Sequence, residues 1–465
     1  MARPSATPGR RVAHRTLTRV YLDDAYADRA LHGILDKFDP PLDKRERAFA
    51  TELVYGVLRN HRYIDFLIRA LVSKPLRKIQ PDVIMALRLA VYELLFLRAP
   101  AHSTVDQAVR LLNKKRDLVR SFANAVLREL GRRQERNELP QVDASALPPL
   151  EALAIKTSLP DSVLQRVNTL RPFDDTEAWA ESNQKAAPFT NRVNQQRTTR
   201  DDLMATLTEA GIEHQTSSLL PFALDLQSPG NLQELQSFRD GHFSVQDAGS
   251  QLVCHLLEPQ PGERIVDLCA APGGKTSFIA ELTGDEASIL ACDLHPGRVR
   301  LISTGQKRLQ LKGIETTTLD GTNATLLAER VKAWGDGSPV SRVLLDAPCS
   351  GLGTLRRNPD LRLRPINLEQ LTQIQSQLLE SAHGILKPGG TLVYSVCTFT
   401  REESVEIISQ FLNKYPNYHV SPLPEEFAAT FGDSDPDIPG GRFFRTWADV
   451  HGCDGFFAIK LQKSS

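Results

Sequence analysis

The sequence is short of the residues that bind structural metals or cross-link a chain. Its six cysteines, Cys254, Cys269, Cys292, Cys349, Cys397 and Cys453, include no CxxC pair, and no Cys/His cluster has zinc spacing, so no metal is expected. Long apolar runs are also missing. The longest, Val83 to Leu97, is interrupted by Arg88 and Glu93 and is too short to span a bilayer. No apolar segment follows the basic start MARPSATPGRR, so no secretory signal is expected. A cytoplasmic protein is expected, with reduced thiols free for chemistry and no membrane partner; a monomer is also expected. Internal repeats and low-complexity tracts are absent, and 56 basic residues balance 56 acidic ones.

What is present is ordinary in amount and uneven in placement. The chain is 465 residues long, 41% hydrophobic and 24% charged, enough to bury real cores in two or three domains. Residues 1–150 carry 27 basic and 17 acidic side chains, whereas 151–465 carry 29 and 39. A basic first third points to an anionic partner for that part, against the plainer reading of a solvated basic surface.

Residues 12–135 read as helical. Apolar residues recur at helical spacing in FATELVYGVLRN (49–60), YIDFLIRALV (63–72), VIMALRLAVYELLFL (83–97), STVDQAVRLLNKK (103–115) and LVRSFANAVLREL (118–130). Prolines separate these stretches, so a compact bundle over 1–140 is expected. Its polar faces would present Arg59, Arg62, Lys114, Lys115, Arg116, Arg120, Arg128, Arg132 and Arg133. A polar, proline-bearing linker leads to a small α+β connecting module over 150–238, with strand-like PFTNRVN (188–194) and FALDLQ (222–227). Over 239–465, short strands alternate with helices: RIVDLC (264–269), SILACD (288–293), ETTTLD (315–320), RVLLD (342–346), TLVYS (391–395) and GFFAIKL (455–461). This alternation predicts a doubly wound α/β sheet of Rossmann-like type, with ligands beyond the carboxyl ends of its strands.

The run DLCAAPGGKTS (267–277) follows a strand and should open a helix. Its small residues let backbone N–H groups approach a ligand, and the helix start adds partial positive charge suited to a carboxylate. The spacing is neither GxGxxG nor that of a phosphate loop, and the glycines alone suit a plain strand-to-helix turn equally well. Asp293, Asp320 and Asp346 end successive strands. One such acid is usually a helix cap, but three at one rim favour a ligand: Asp293 for a ribose diol, Asp320 for an adenine amino group.

DAPCSG (346–351) places Cys349 after the fourth strand, and YSVCT (394–398) places Cys397 just past the fifth. A buried cysteine is ordinarily an inert small hydrophobe, the reading adopted for Cys254, Cys292 and Cys453. Two thiols at adjacent strand ends, beside Asp346, suit another task. Carbon 5 of cytosine is a poor nucleophile until a thiolate adds to carbon 6. The step needs that thiolate, a group at N3 and a base for the C5 proton.

These motifs, with VQDAGSQL (245–252) upstream and DGFFAIKL (454–461) at the end, resemble those of the RNA 5-methylcytosine methyltransferases of the Sun/Nop family, in that family's order. The resemblance implies S-adenosyl-L-methionine as cofactor, held by Cys269, Ala270, Ala271, Pro272, Gly273, Gly274, Lys275, Asp293, Asp320 and Asp346. It makes Cys397 the nucleophile and Cys349 the residue that assists product release, with Asp346 also catalytic. DNA cytosine methyltransferases use a Pro-Cys after the fourth strand instead, and Pro348-Cys349 fits that pattern; the presence of Cys397 favours the RNA enzymes.

The first domain, through RERAFATELVYGVLRN, SKPL, LAVYELLF and FANAVLREL, resembles the NusB-type RNA-binding bundle of bacterial Sun/Fmu-type small-subunit rRNA methyltransferases. The implied partner is 16S rRNA, naked or partly assembled. Val396 stands where that family commonly has Thr, and Gly249 where Ala is frequent. The same chemistry on tRNA, and a non-catalytic RNA-binding assembly factor, are the competing readings.

Overall fold

A computed structural model describes residues 5–112, 117–217, 219–227 and 230–465. They divide into two compact units. The first holds the residues up to Ala186 together with Leu355–Pro365; the second holds Ala187–Thr354 and Ile366–Ser465.

The first unit is all helical. It comprises α1 (Pro8–Leu22), α2 (Ala27–Leu35), α3 (Lys44–Arg59), α4 (His61–Arg69), α5 (Pro81–Leu95), α6 (Ala101–Leu111) and α7 (Asp117–Glu135), followed by α8 (Pro149–Thr157), α9 (Asp161–Leu170) and α10 (Phe173–Ser182). Breakers and caps set the boundaries. Pro81 opens α5, where a missing N–H costs nothing, and the Asp43 carboxylate accepts a hydrogen bond from the Glu46 N–H at the start of α3 (2.8 Å). Helix α5 is buried almost all round and packs among Leu17, Leu53, Val57 and Leu127. The two charges that interrupt its apolar run are paired inside. Arg88 donates to both oxygens of Asp65 at 2.8 Å, and Glu93 accepts from Arg10 at 2.9 Å.

Residues 355–365 are built into this helical unit. The Arg362 guanidinium donates to the carbonyls of Arg59 (2.7 Å), Thr157 (3.0 Å) and Asn183 (2.6 Å), and burial pushes its pKa down to about 9. Asp360 accepts from the Ala27 N–H (3.3 Å). This packing corrects part of the expected basic face. Arg59 turns inward to the Arg356 carbonyl (3.2 Å), and Arg62 is held by Asp161 and the Leu159 carbonyl, each at 2.8 Å. Buried carbonyls, invisible to helical periodicity, claim these guanidinium groups. Lys114, Lys115 and Arg116 lie outside the described residues.

The second unit contains two sheets. Strands β1 (Thr190–Val193), β2 (His214–Thr216), β3 (Ala223–Leu226) and β4 (Phe243–Val245) form an antiparallel sheet in the order β2-β3-β1-β4, with α11 (Arg200–Glu209) and α12 (Gln236–Arg239). The fourth strand falls beyond residue 238, and α8 to α10 fall in the helical unit.

The large sheet uses β5 (Arg264–Asp267), β6 (Ser288–Asp293), β7 (Ile314–Thr318), β8 (Val340–Asp346), β9 (Leu386–Val396), β10 (Tyr418–Val420), β11 (Gly432–Asp433), β12 (Phe443–Arg445) and β13 (Phe457–Lys463). Strands β7-β6-β5-β8-β9 are parallel, and β13 then joins β9 antiparallel. The sheet is therefore mixed rather than wholly parallel. Strand β13 runs antiparallel to both β9 and β12.

Successive strand residues enter opposite cores. Ile265, Leu344 and Val393 face α13 (Ala248–Leu257), α14 (Gly274–Leu282) and α15 (Pro296–Leu309). Val266, Val343, Leu392 and Tyr394 face α16 (Ala324–Ala333), α17 (Leu368–Ile385) and α18 (Val405–Lys414). Each fully buried side chain of this kind contributes about 1.5–3 kcal/mol. Among the described residues no helix is long and apolar enough to cross a membrane.

Candidate active site

Strand order reverses between β5 and β8, the switch point where such sheets bind ligands. The loop Leu268–Gly273 leaves β5 there and turns into α14. The Ala270 N–H donates to the Cys292 carbonyl (2.8 Å) and the Gly273 N–H to the Ala270 carbonyl (2.8 Å). Gly273 caps the helix at φ +101°, a conformation side chains rarely adopt, and a Cβ there would meet the Ile302 backbone at 3.1 Å. This loop carries Cys269, Ala270, Ala271, Pro272, Gly273, Gly274 and Lys275. Burial pushes the Cys269 thiol well above its usual range, so it packs rather than reacts.

The three expected acids reach one edge of the sheet but differ in engagement. Asp293, 4% exposed, accepts from the N–H groups of Ala271 (3.3 Å) and His295 (3.1 Å), with Arg298 at 3.6 Å. Asp346 accepts from Lys275 Nζ and Ser395 Oγ, each at 2.7 Å. Asp320 is exposed two residues past β7 and accepts from the N–H and hydroxyl of Thr322 (3.0 and 2.6 Å). Burial works against the charge on Lys275, but Asp346 outweighs it and the pKa is raised.

The cradle fits an amino-acid-bearing nucleoside. Beneath the loop, Asp267 accepts from the Thr276 hydroxyl (2.6 Å), while its buried Oδ1 has no hydrogen-bond partner among the described residues. Burial raises its carboxyl to about 7. Leu294, 55% exposed, follows Asp293 in the chain. Sequence reading had included Asp267 in the motif without singling it out; its strand-end position was the available signal.

The two thiols meet. Cys349 Sγ lies 3.3 Å from Cys397 Sγ, and both residues are half-buried. Hydrogen bonding to Cys397, then burial, pushes the Cys349 thiol well above its usual range. Cys254 and Cys292 are deeply buried, and burial pushes each to about 12.

Sequence reasoning missed what locks the two cysteine loops together. Glu403, fully buried, accepts from the Ser350 N–H (2.8 Å), the Ser350 hydroxyl (2.6 Å), the Thr400 hydroxyl (2.7 Å) and Gln375 Nε2 (3.1 Å). Ser350 and Thr398 hydroxyls lie 2.9 Å apart. Gly353 donates its N–H to the Cys397 carbonyl (2.9 Å) and accepts from the Gly455 N–H (2.8 Å). A Cβ on Gly353 would fall 1.9 Å from the Gly455 carbonyl oxygen. One clue was available: an acid, Glu403, a few residues past YSVCT.

In the helical unit, α6 and α7 border a groove of about 760 Å³ whose lining includes His102, Arg120, Arg128 and Arg132 along with Asp106 and Glu135. Arg132 and Arg133 both pair with Glu129.

Three family models match along the chain: the NusB family over residues 7–132, the ferredoxin-like domain of RsmF/B-like methyltransferases over 159–233, and 16S rRNA methyltransferase RsmB/F over 254–462. The chain is similar to the probable ribosomal RNA small subunit methyltransferase B of Bacillus subtilis, 32% identical across 98% of this chain and 99% of that protein. The ribosomal RNA small subunit methyltransferase B of Klebsiella pneumoniae is 33% identical across 93% and 94%. The crystal structure of PH0851 superposes with a TM-score of 0.78 at 27% identity, covering 98% of this chain and 99% of that one. Helical bundle, ferredoxin-like module and Rossmann-like methyltransferase sheet thus follow one another along the chain, and it belongs to the RsmB/F family of 16S rRNA methyltransferases.

Proposed function

We propose that this protein transfers a methyl group to carbon 5 of a cytosine in 16S rRNA through a transient bond between Cys397 and the base. The observation that carries the reading is the Cys349–Cys397 pair at 3.3 Å, on the strand edge that also holds Asp346. The methyl donor is S-adenosyl-L-methionine, and it supplies an electrophilic methyl sulfonium. The loop Cys269–Lys275, Asp267, Asp293, Asp320 and Asp346 are assigned to holding it.

Cys397, as thiolate, adds to carbon 6, and the C5–C6 pair of electrons becomes available at carbon 5. Asp346, with the Lys275 ammonium 2.7 Å away as proton source, is assigned to N3. After methylation the C5 proton must leave. Cys349 is assigned as its acceptor, and the timing has a physical basis: the bond to Cys397 is the largest cause of its raised pKa. Once the Cys397 sulfur is bonded to carbon it is a thioether and no longer holds the Cys349 proton as before; Cys349 gives that proton up and acts as base, with burial and the Glu403 charge still opposing the step. Taking the C5 proton re-forms the C5–C6 double bond and expels Cys397 as thiolate, and the proton lent to N3 returns to the Asp346–Lys275 pair.

The target base must be unpaired or flipped to expose its C5–C6 edge. The basic helical unit is assigned to phosphate contacts on naked or partly assembled small subunits in the cytoplasm. The test is methyl transfer from labelled donor to separate rRNA and tRNA pools, with mapping of the product. 5-Methylcytosine in 16S rRNA is expected. Label confined to tRNA would shift the substrate, and donor binding without transfer to any RNA would favour an assembly factor.

A further inference from the structure

Arg192 lies in β1, on the small antiparallel sheet, and its side chain is completely buried. A buried guanidinium is costly unless every donor is used, and the partners here are specific. It donates to both carboxylate oxygens of Glu281 (2.9 and 2.7 Å), to the Gly274 carbonyl (3.0 Å), to Ser277 Oγ (3.2 Å) and to the Gln246 side-chain oxygen. Its guanidinium carbon stacks 4.5 Å from the centre of the Phe278 ring. Gly274, Ser277, Phe278 and Glu281 all belong to α14, the helix that begins at the cofactor loop. Gln246 adds to the grip: its side chain is the nearest atom group to the space above Gly274, at 4.0 Å.

Two consequences follow from this placement. All four residues of β1 are buried, so this strand offers no open face of the kind that stacks bases. And the guanidinium is fastened to the residue immediately before Lys275, whose ammonium bonds Asp346. A planar fork with five donors holds a carboxylate by two bonds while also reaching a carbonyl and a hydroxyl; an ammonium has three donors and no fixed fork.

We infer that Arg192 is a positioning residue for the methyl donor: the small module braces the first turn of α14 and thereby sets the cofactor loop, rather than contacting RNA through β1. The inference rests on the methyltransferase reading, because the loop it braces is the donor site.

The test uses the full-length protein and three readouts: donor binding by calorimetry without RNA, hydrogen exchange of the Gly273–Lys275 amides without donor, and binding of 16S rRNA without donor. Arg192→Met/Glu281→Met removes both buried charges at similar volume. Arg192→Lys keeps a charge for Glu281 and serves should the double variant fail to fold. In each folded variant the donor dissociation constant should rise at least tenfold, the loop amides should exchange faster and RNA affinity should stay within twofold of wild type. Turnover at saturating donor should return to near the wild-type value, so that KM moves and kcat does not. Wild-type donor affinity in a folded variant would overturn the inference, as would an equal loss of RNA binding. Failure of the unsubstituted protein to bind donor at all would instead overturn the methyltransferase reading, so the two failures are distinguishable.

Discussion

The Cys349 and Cys397 sulfurs stand 3.3 Å apart, just past the ends of neighbouring parallel strands. Hydrogen bonding to Cys397, then burial, pushes the Cys349 thiol up.

Different phenotypes should follow from removing each sulfur. Cys397→Ala is expected to abolish both turnover and any covalent protein–RNA complex. Cys349→Ala should still allow attack but slow release, so that an adduct stable to denaturing electrophoresis accumulates. An adduct in Cys397→Ala and none in Cys349→Ala would reverse the two assignments.

Asp267 makes a pH prediction. Burial raises its carboxyl from 3.8 to about 7, so between those values the folded protein holds a proton that the unfolded chain has released. Its stabilising contribution is whole below about pH 4 and is lost as pH rises through about 7. Asp267→Asn keeps an acceptor for the Thr276 hydroxyl and cannot ionise. The melting temperature of wild type relative to this variant should therefore fall between about pH 4 and 7 and level off above. A difference independent of pH would contradict the assignment.

Glu403 ties the two cysteine loops through Ser350 and Thr400, and its charge adds to the upward push on the Cys349 thiol. In Glu403→Gln one acceptor oxygen becomes a donor amide facing other donors, and each buried group left unsatisfied costs about 1–3 kcal/mol. The variant should lose stability in that range. Its kcat should fall on the order of 10–100-fold through misplacement of the thiols, while donor affinity is retained. Unchanged kcat would show that the loops hold their register without it.

Gly353→Ala should be worse tolerated than an exposed glycine substitution, such as Gly384→Ala, where a Cβ meets nothing within 4 Å. The Cβ at 353 would lie 1.9 Å from the Gly455 carbonyl oxygen and 2.9 Å from that of Cys397. Backbone displacement of this kind typically costs about 1–3 kcal/mol. Chemical denaturation would read the loss, and parallel loss of adduct formation would place the displacement at Cys397.

Much of this was legible in the sequence because it is local. Strand-end positions follow from the alternation of short apolar runs, and the parallel order β5, β8, β9 brings DAPCSG and YSVCT together from chain order alone. The helices were legible through periodicity, although Arg88 and Glu93 looked like interruptions and are in fact buried ion pairs. What was not legible is long-range. Glu403 meets Ser350 across 53 residues, and Arg192 meets Glu281 across 89. No periodicity marks such partners. Arg59 and Arg62 fell on the polar side of their helices by pattern, and only the folded unit reveals the carbonyls that engage them.

The segment Leu355–Pro365 has a consequence for heredity. It is encoded between the two cysteine motifs, yet its buried Arg362 satisfies carbonyls at Arg59, Thr157 and Asn183. The gene therefore cannot be cut at one linker into two cassettes, each complete. A recombinant that paired this catalytic half with a foreign N-terminal bundle would inherit a guanidinium whose acceptors stayed behind. Shuffling should succeed only where residues 355–365 travel with the helices they pack against.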